Sequence, residues 1–149
     1  MTAVREPIYA ALFNLVAEAT GAATASRILR NPEDVQPSEM PALFLSQRPE
    51  KYAEPGRGLP PKRTLHALVW LYACDPQIAG VVPATQLNNM VDAVEAALAP
   101  AGTDLAMQGV QTLGGLVSHC WIEGNVEYYE GLDTNGRSVA VISVAILIP

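Results

Sequence analysis

The run Val139-Ala140-Val141-Ile142-Ser143-Val144-Ala145-Ile146-Leu147-Ile148 is apolar on both of its alternating sides, and it constrains the fold more than any other feature of the chain. A strand with one face in water alternates apolar with polar residues. A strand apolar on both sides needs cover twice, from helices of its own domain and from something else. The run forms the second arm, Ser138–Ile148, of a hairpin whose first arm is Ser118–Leu132. The link is Asp133-Thr134-Asn135-Gly136, and Asn-Gly favours a tight turn because both residues tolerate positive φ. The expectation is a subunit that assembles.

A chain of 149 residues, half of them hydrophobic and 16% charged, is read as one domain spanning 1–149 with a substantial core. That balance excludes a disordered chain, which could not bury enough apolar surface to order itself. No apolar run approaches the roughly 20 residues a membrane span needs. The start, Met1 to Pro7, lacks the charged-then-apolar pattern of a secretory signal. The expectation is a soluble protein that stays where it is made, with no membrane partner.

A net charge of −6 argues against a protein that wraps nucleic acid, which would gather Lys and Arg on one face. Five of the nine basic residues nevertheless fall together: Arg48, Lys51, Arg57, Lys62 and Arg63. The plain reading is a solvated loop; the sharper one is a docking arm for an acidic partner. Cys74 and Cys120 stand in neither a Cys-x-x-Cys pair nor a secreted framework, and both are expected as buried thiols in strands.

Periodicity orders the rest. Ile8, Leu12, Leu15, Val16 and Ala19 share one side of a helix from Pro7 to Thr20, closed by Gly21. A short strand, Ala25–Arg30, precedes a surface loop, Asn31–Pro41, rich in proline and acid. Strands follow at Ala42–Arg48 and Lys62–Cys74, joined by a long, mobile connection around Glu54-Pro55-Gly56-Arg57-Gly58-Leu59-Pro60-Pro61. Leu87, Met90, Val91, Val94 and Leu98 mark a second helix, Pro83–Ala99, stopped at Pro100-Ala101-Gly102. The glycines of 103–117 leave that region without an assigned element. The order α-β-β-β-α-β-β implies an α+β two-layer sandwich, two helices on one face of a mixed or antiparallel sheet. The other face, with residues such as Trp70 and Tyr72, has no element left to cover it. Trp70, Tyr72, Val141 and Ile142 are therefore the expected subunit interface.

Catalytic readings fare poorly. His119 and Cys120 are neighbours in a strand and point to opposite faces, so they cannot pair. Cys74 with His66 or His119 across strands stays open, without a spacing that supports it. There is no His-x-x-x-His, no acidic cluster suited to a metal and no phosphate loop. Glu123, Glu127 and Glu130 read as charges that keep an edge soluble. No cofactor, metal or catalytic residue is expected.

Arg27-Ile28-Leu29-Arg30 before an acidic loop, then Met40-Pro41-Ala42-Leu43-Phe44-Leu45, resembles the early part of tail terminator proteins of long-tailed phages. So does Gly58-Leu59-Pro60-Pro61-Lys62-Arg63-Thr64-Leu65 running into an apolar strand. The ending, Ile122-Glu123-Gly124-Asn125-Val126 through an Asn-Gly turn to Ile146-Leu147-Ile148-Pro149, is similar too. The resemblance spans about Tyr9 to Pro149 and rests on the order of short motifs. It implies a virion protein forming a homo-oligomeric ring, expected as a hexamer, on the head-proximal end of the tail tube. Its partners would be the tail tube protein and a head-completion or connector protein, with DNA passing through unbound. Assembly would take place in the cytoplasm of the bacterial host. Arg57, Lys62 and Arg63 match the tube-contacting arm by position in the topology. The alternatives are another neck or tail-completion protein of this fold, or a small-molecule-binding or hydrolytic α+β domain using Cys74 and His66.

Overall fold

A computed structural model describes residues 5–54, 56–59, 61–74, 85–100, 109–129 and 137–149. Among these residues the elements are α1 (Arg5–Thr20), β1 (Thr24–Ser26), β2 (Ala42–Ala53), β3 (Lys62–Cys74), α2 (Thr85–Leu98), β4 (His119–Tyr129) and β5 (Arg137–Leu147). The sheet order is β1-β2-β3-β5-β4, with β1 parallel to β2 and every other pair antiparallel. This is the expected two-layer α+β sandwich with a mixed sheet. The Asp133–Gly136 turn lies outside the described residues, as do Pro83, Ala101 and Gly102.

Both helices pack on one sheet face. Ile8, Tyr9, Leu12 and Val16 of α1 and Leu87, Met90, Val91, Val94 and Leu98 of α2 are buried there. They meet the odd-numbered residues of β3, Leu65 through Ala73, and the even-numbered ones of β5, Ala140 through Ile146. Tyr9 takes the place in the α1 stripe that periodicity assigned to Ala19, which is exposed. Gly21 closes α1 at φ 61°, its N–H donating to Ala17 O at 3.2 Å. That left-handed geometry is cheap only for a residue without a Cβ.

The first strand is shorter than expected because the chain turns off the sheet after Ser26. Ser26 Oγ accepts the Ile28 N–H at 3.0 Å, a local turn that competes with the ladder. Arg27 then pairs with Glu6, and Arg30 with Glu39. The second strand is longer, running through a register shift between Arg48 and Lys51. Pro49 sits inside that bulge, where its missing N–H breaks no regular ladder bond.

The larger correction concerns the helix-free face. It was expected to have no cover within the chain, yet segment 31–41 folds beneath it. Two short 3-10 turns, Pro32–Asp34 and Pro37–Glu39, hold Val35 at 0% exposure against Ala42, Phe44, Tyr72, Val139 and Val141. The Tyr72 hydroxyl donates to Arg30 O at 2.6 Å, and Arg137 donates to Val35 O at 3.3 Å. An acidic, proline-rich loop is thus a plug over part of the face, with Val35 buried and Met40 packed partly against the same cluster. Val35→Ala should lower stability by about 2 kcal/mol through the cavity it leaves. The check is a urea titration: a lower midpoint at unchanged slope is expected, and an unchanged midpoint would show that Val35 does not pack as a plug.

Candidate assembly surface

The uncovered half of that face holds a cleft of about 460 Å³ between β2, β3 and β4, walled by Arg48, Trp70, Glu123, Glu127, Tyr129 and Val141. A bulge in β4 shapes it. Ile122 stands opposite Val144 and Val126 opposite Ile142, so Glu123-Gly124-Asn125 together face Ser143. Gly124 takes φ 69°, a left-handed conformation that permits the excursion. The bulge aims Glu123 at His66, with Oε2 at 3.2 Å from Nε2. The other ring nitrogen, Nδ1, lies 3.1 Å from Pro49 O and donates to it. Both nitrogens thus face acceptors, which fixes the ring and leaves neither open to a substrate.

Trp70 donates its indole N–H to Ser46 Oγ at 3.0 Å, holding the ring as a cleft wall. The Tyr129 hydroxyl donates to Glu127 at 2.8 Å, and the carboxylate pushes the phenol's pKa upward. Burial pushes Tyr72 up to about 12, in keeping with a hydroxyl that only donates. The cleft therefore carries charge and aromatic surface, the mixture that suits protein contact.

The expected subunit interface divides under this geometry. Tyr72 and Ile142 are covered inside the subunit, Ile142 at 0% exposure among the helix-side residues. They have no surface left to offer another copy. Trp70 is half-buried, and both it and Val141 still line the cleft. The bulge-built acidic wall was missed, although a glycine in the middle of a strand pattern is a signal for such a bulge.

The basic arm is a two-stranded extension of the β2–β3 hairpin. The pairs Tyr52–Arg63 and Ala53–Lys62 continue beyond Thr64, where β5 ends opposite. The connection 54–61 is shorter than expected because pairing runs to Ala53. Leu59 N–H donates to Gly56 O at 3.3 Å in its turn. Arg57 and Lys62 are exposed and Arg63 is half-buried. Arg5 of α1 braces the arm through Glu50 and, at 2.9 Å, through the Tyr52 hydroxyl. Hydrogen bonding to Arg5, above all, holds the Glu50 carboxyl below its ordinary range, with a small contribution from Arg63.

The structure keeps the candidate catalytic residues apart. Cys74 and His66 stand eight residues apart on β3, about 26 Å at ~3.3 Å per residue. Cys74 lies opposite Arg137, whereas His119 lies opposite Leu147 at the other end of the sheet. His119 Nδ1 accepts the Gln111 N–H at 3.1 Å, and its ring stacks on Trp121. Burial pushes the Cys120 thiol up to about 12, so it stays protonated at neutral pH. No cluster of three or more potential metal ligands occurs among the described residues. No helix among them is long and apolar enough to cross a membrane.

No protein-family model matches the chain. No curated protein matches it either. Among solved structures it is similar to a chain described as "Virion of native gene transfer agent (GTA) particle". The two share 14% identity at a TM-score of 0.50, over 94% of this chain and 93% of that one. At such identity the likeness concerns the fold, which is matched nearly end to end.

Proposed function

We propose that this chain is a structural subunit of a phage-like virion, and within it the tail terminator. Copies form a ring, a hexamer, on the head-proximal end of the tail tube. The ring stops tube growth and presents the surface that a head-completion or connector protein joins. The observation that carries this reading is the likeness to a gene transfer agent virion chain, which spans 94% of this chain and 93% of that one. The half-open sheet face supports it, because a cleft of charged and aromatic side chains open to water suits a protein neighbour. So does the exposed pair Arg57 and Lys62 on a braced arm, placed to meet an acidic tube end. A net charge of −6 suits a ring whose channel repels DNA rather than holding it. The site of action is the virion tail, after assembly in the cytoplasm of a bacterial host. No catalysis enters the reading.

The same likeness fits another neck or tail-completion protein of this fold, and one experiment separates the two. Purified protein is mixed with growing tail tubes and the ends are imaged. Extra density at one end of each tube, with growth arrested, is expected. Tubes that keep growing with bare ends would overturn the terminator role, and binding to heads or connectors alone would point to a neck protein.

A further inference from the structure

Among the described residues, two bulges interrupt the sheet, and one side chain touches both. The β2 bulge lies between Arg48 and Lys51 and holds Pro49. The β4 bulge lies between Ile122 and Val126 and holds Glu123. His66 stands on β3 between them, with Nδ1 at 3.1 Å from Pro49 O and Nε2 at 3.2 Å from Glu123 Oε2. Strand β5 separates β3 from β4, and its residue opposite both His66 and Trp121 is Ala145. Residues opposite one another in a ladder share a face, so a mere methyl group lies beneath the reach of Glu123 to the ring.

The arrangement is one proton short when the imidazole is neutral and the carboxylate ionised. Pro49 O can only accept, so Nδ1 carries a hydrogen. A neutral ring has no second N–H, which leaves the lone pair of Nε2 aimed at a carboxylate. That pairing repels. One more proton from water turns it into a hydrogen bond, charge-assisted when Nε2 holds the proton. Imidazoles take up that proton between about pH 5 and 8. The ring is 23% exposed and the carboxylate 48%, so water reaches both.

The surrounding groups pull in both directions. On β2, Arg48 lies opposite His66 and Lys51 opposite Thr64, and both oppose a positive ring. Glu50 is taken up by Arg5. On β4, Glu123 and Glu127 favour a positive ring, while His119 stacks on Trp121 and faces Gln111. From α1 the Tyr9 hydroxyl donates to His66 O at 3.4 Å, and the β5 neighbour Ala145 carries no charge.

We propose that His66 is a positioning residue worked by this proton. With the proton in place, the ring ties the β2 and β4 bulges together and holds the Glu123 wall of the cleft. Without it Glu123 is released, and the cleft gains a loose carboxylate beside Glu127. The surface open to a protein neighbour therefore changes shape and charge with pH. This goes beyond the capping proposal and stands whether or not the chain ends a tail tube.

The test reads backbone order parameters of Gly124 and Asn125 by NMR, with the ring nitrogen shifts of His66 followed in the same samples. In the wild type at about pH 5.5 the ring should be doubly protonated and the order parameters near the ~0.85 of rigid backbone. At about pH 8 they should fall toward ~0.6. Glu123→Gln should stay rigid at both pH values, because its amide can donate to the neutral ring as well as accept from the charged one. Glu123→Ala should be loose at both. Position 123 is half-exposed, so both variants should fold. A wild-type bulge indifferent to pH, or a His66 ring still neutral at about pH 5.5, would overturn the proposal. So would a Glu123→Gln variant that loosens as the wild type does, or a pH dependence that survives in Glu123→Ala.

Discussion

Ile142→Asp should abolish the folded state, whereas its neighbour Val141→Asp should yield a folded subunit that does not assemble. Ile142 is at 0% exposure among helix-side residues, with Leu65, Val69 and Val94 in the same cluster. A carboxylate there has no water and no cation, and burying it costs several kcal/mol. Set against a total stability of roughly 5–15 kcal/mol, that is enough to unfold a domain of this size. Val141 is 8% exposed and forms part of the cleft wall. A carboxylate at that position can reach cleft water, so the subunit should melt cooperatively at a reduced temperature. It would also stand opposite Glu127 across the β4–β5 ladder, and like charges there repel. An acidic, swollen cleft floor should then refuse a neighbouring protein. Circular dichroism melting and light scattering on both variants decide the matter. Wild-type melting and assembly for both would refute a strand buried on one side and functional on the other.

Arg57→Glu combined with Lys62→Glu should leave the melting temperature nearly unchanged and abolish capping of tail tubes. Both residues are exposed at the end of the arm, where single charges contribute about 0–1 kcal/mol to folding. Docking responds differently, because two positive charges become negative, a change of four units, against the acidic tube end that the capping proposal requires. Tails assembled with the variant should be overlong or fail to join heads. Capping by the wild type should weaken with salt, since screening at ~0.15 M shortens the field to about 8 Å. Normal tail lengths with the double variant would reduce the arm to a solvated connection. The braced geometry supplies a control: Arg5→Ala removes the tie to Glu50 and Tyr52 without touching the arm's charge. It should weaken capping far less.

Much of this architecture was legible along the chain. Helices announce themselves through neighbours three and four residues apart, and strands through neighbours two apart. Those relations are local, so the stripes of α1 and α2 and the limits of β3 could be read directly from the residue order. The two-sided apolar character of β5 was equally plain, because it needs only the identities of Val139 to Ile148. The α+β sandwich followed from the order of elements and from helices that each own one apolar side.

Other features depend on residues far apart in the chain. Val35 and Met40 stand among prolines and acids without any helix or strand period, and nothing nearby in sequence distinguishes Val35 from a solvated loop position. Its burial is decided by Phe44, Tyr72, Val139 and Val141, which come together only when β5 inserts between β3 and β4. The same insertion assigns Ile142 to the helices and Val141 to the cleft. Alternation says that the two point to opposite sides, but which side receives the helices is a property of the packed sheet. The sequence by itself therefore determined that β5 requires cover on both faces. Tertiary structure alone decided that half of the second cover comes from the chain's own segment 31–41, leaving the rest open. The reason is physical: periodicity is a short-range property of the chain, whereas burial is a sum over contacts that exist only after distant segments have met.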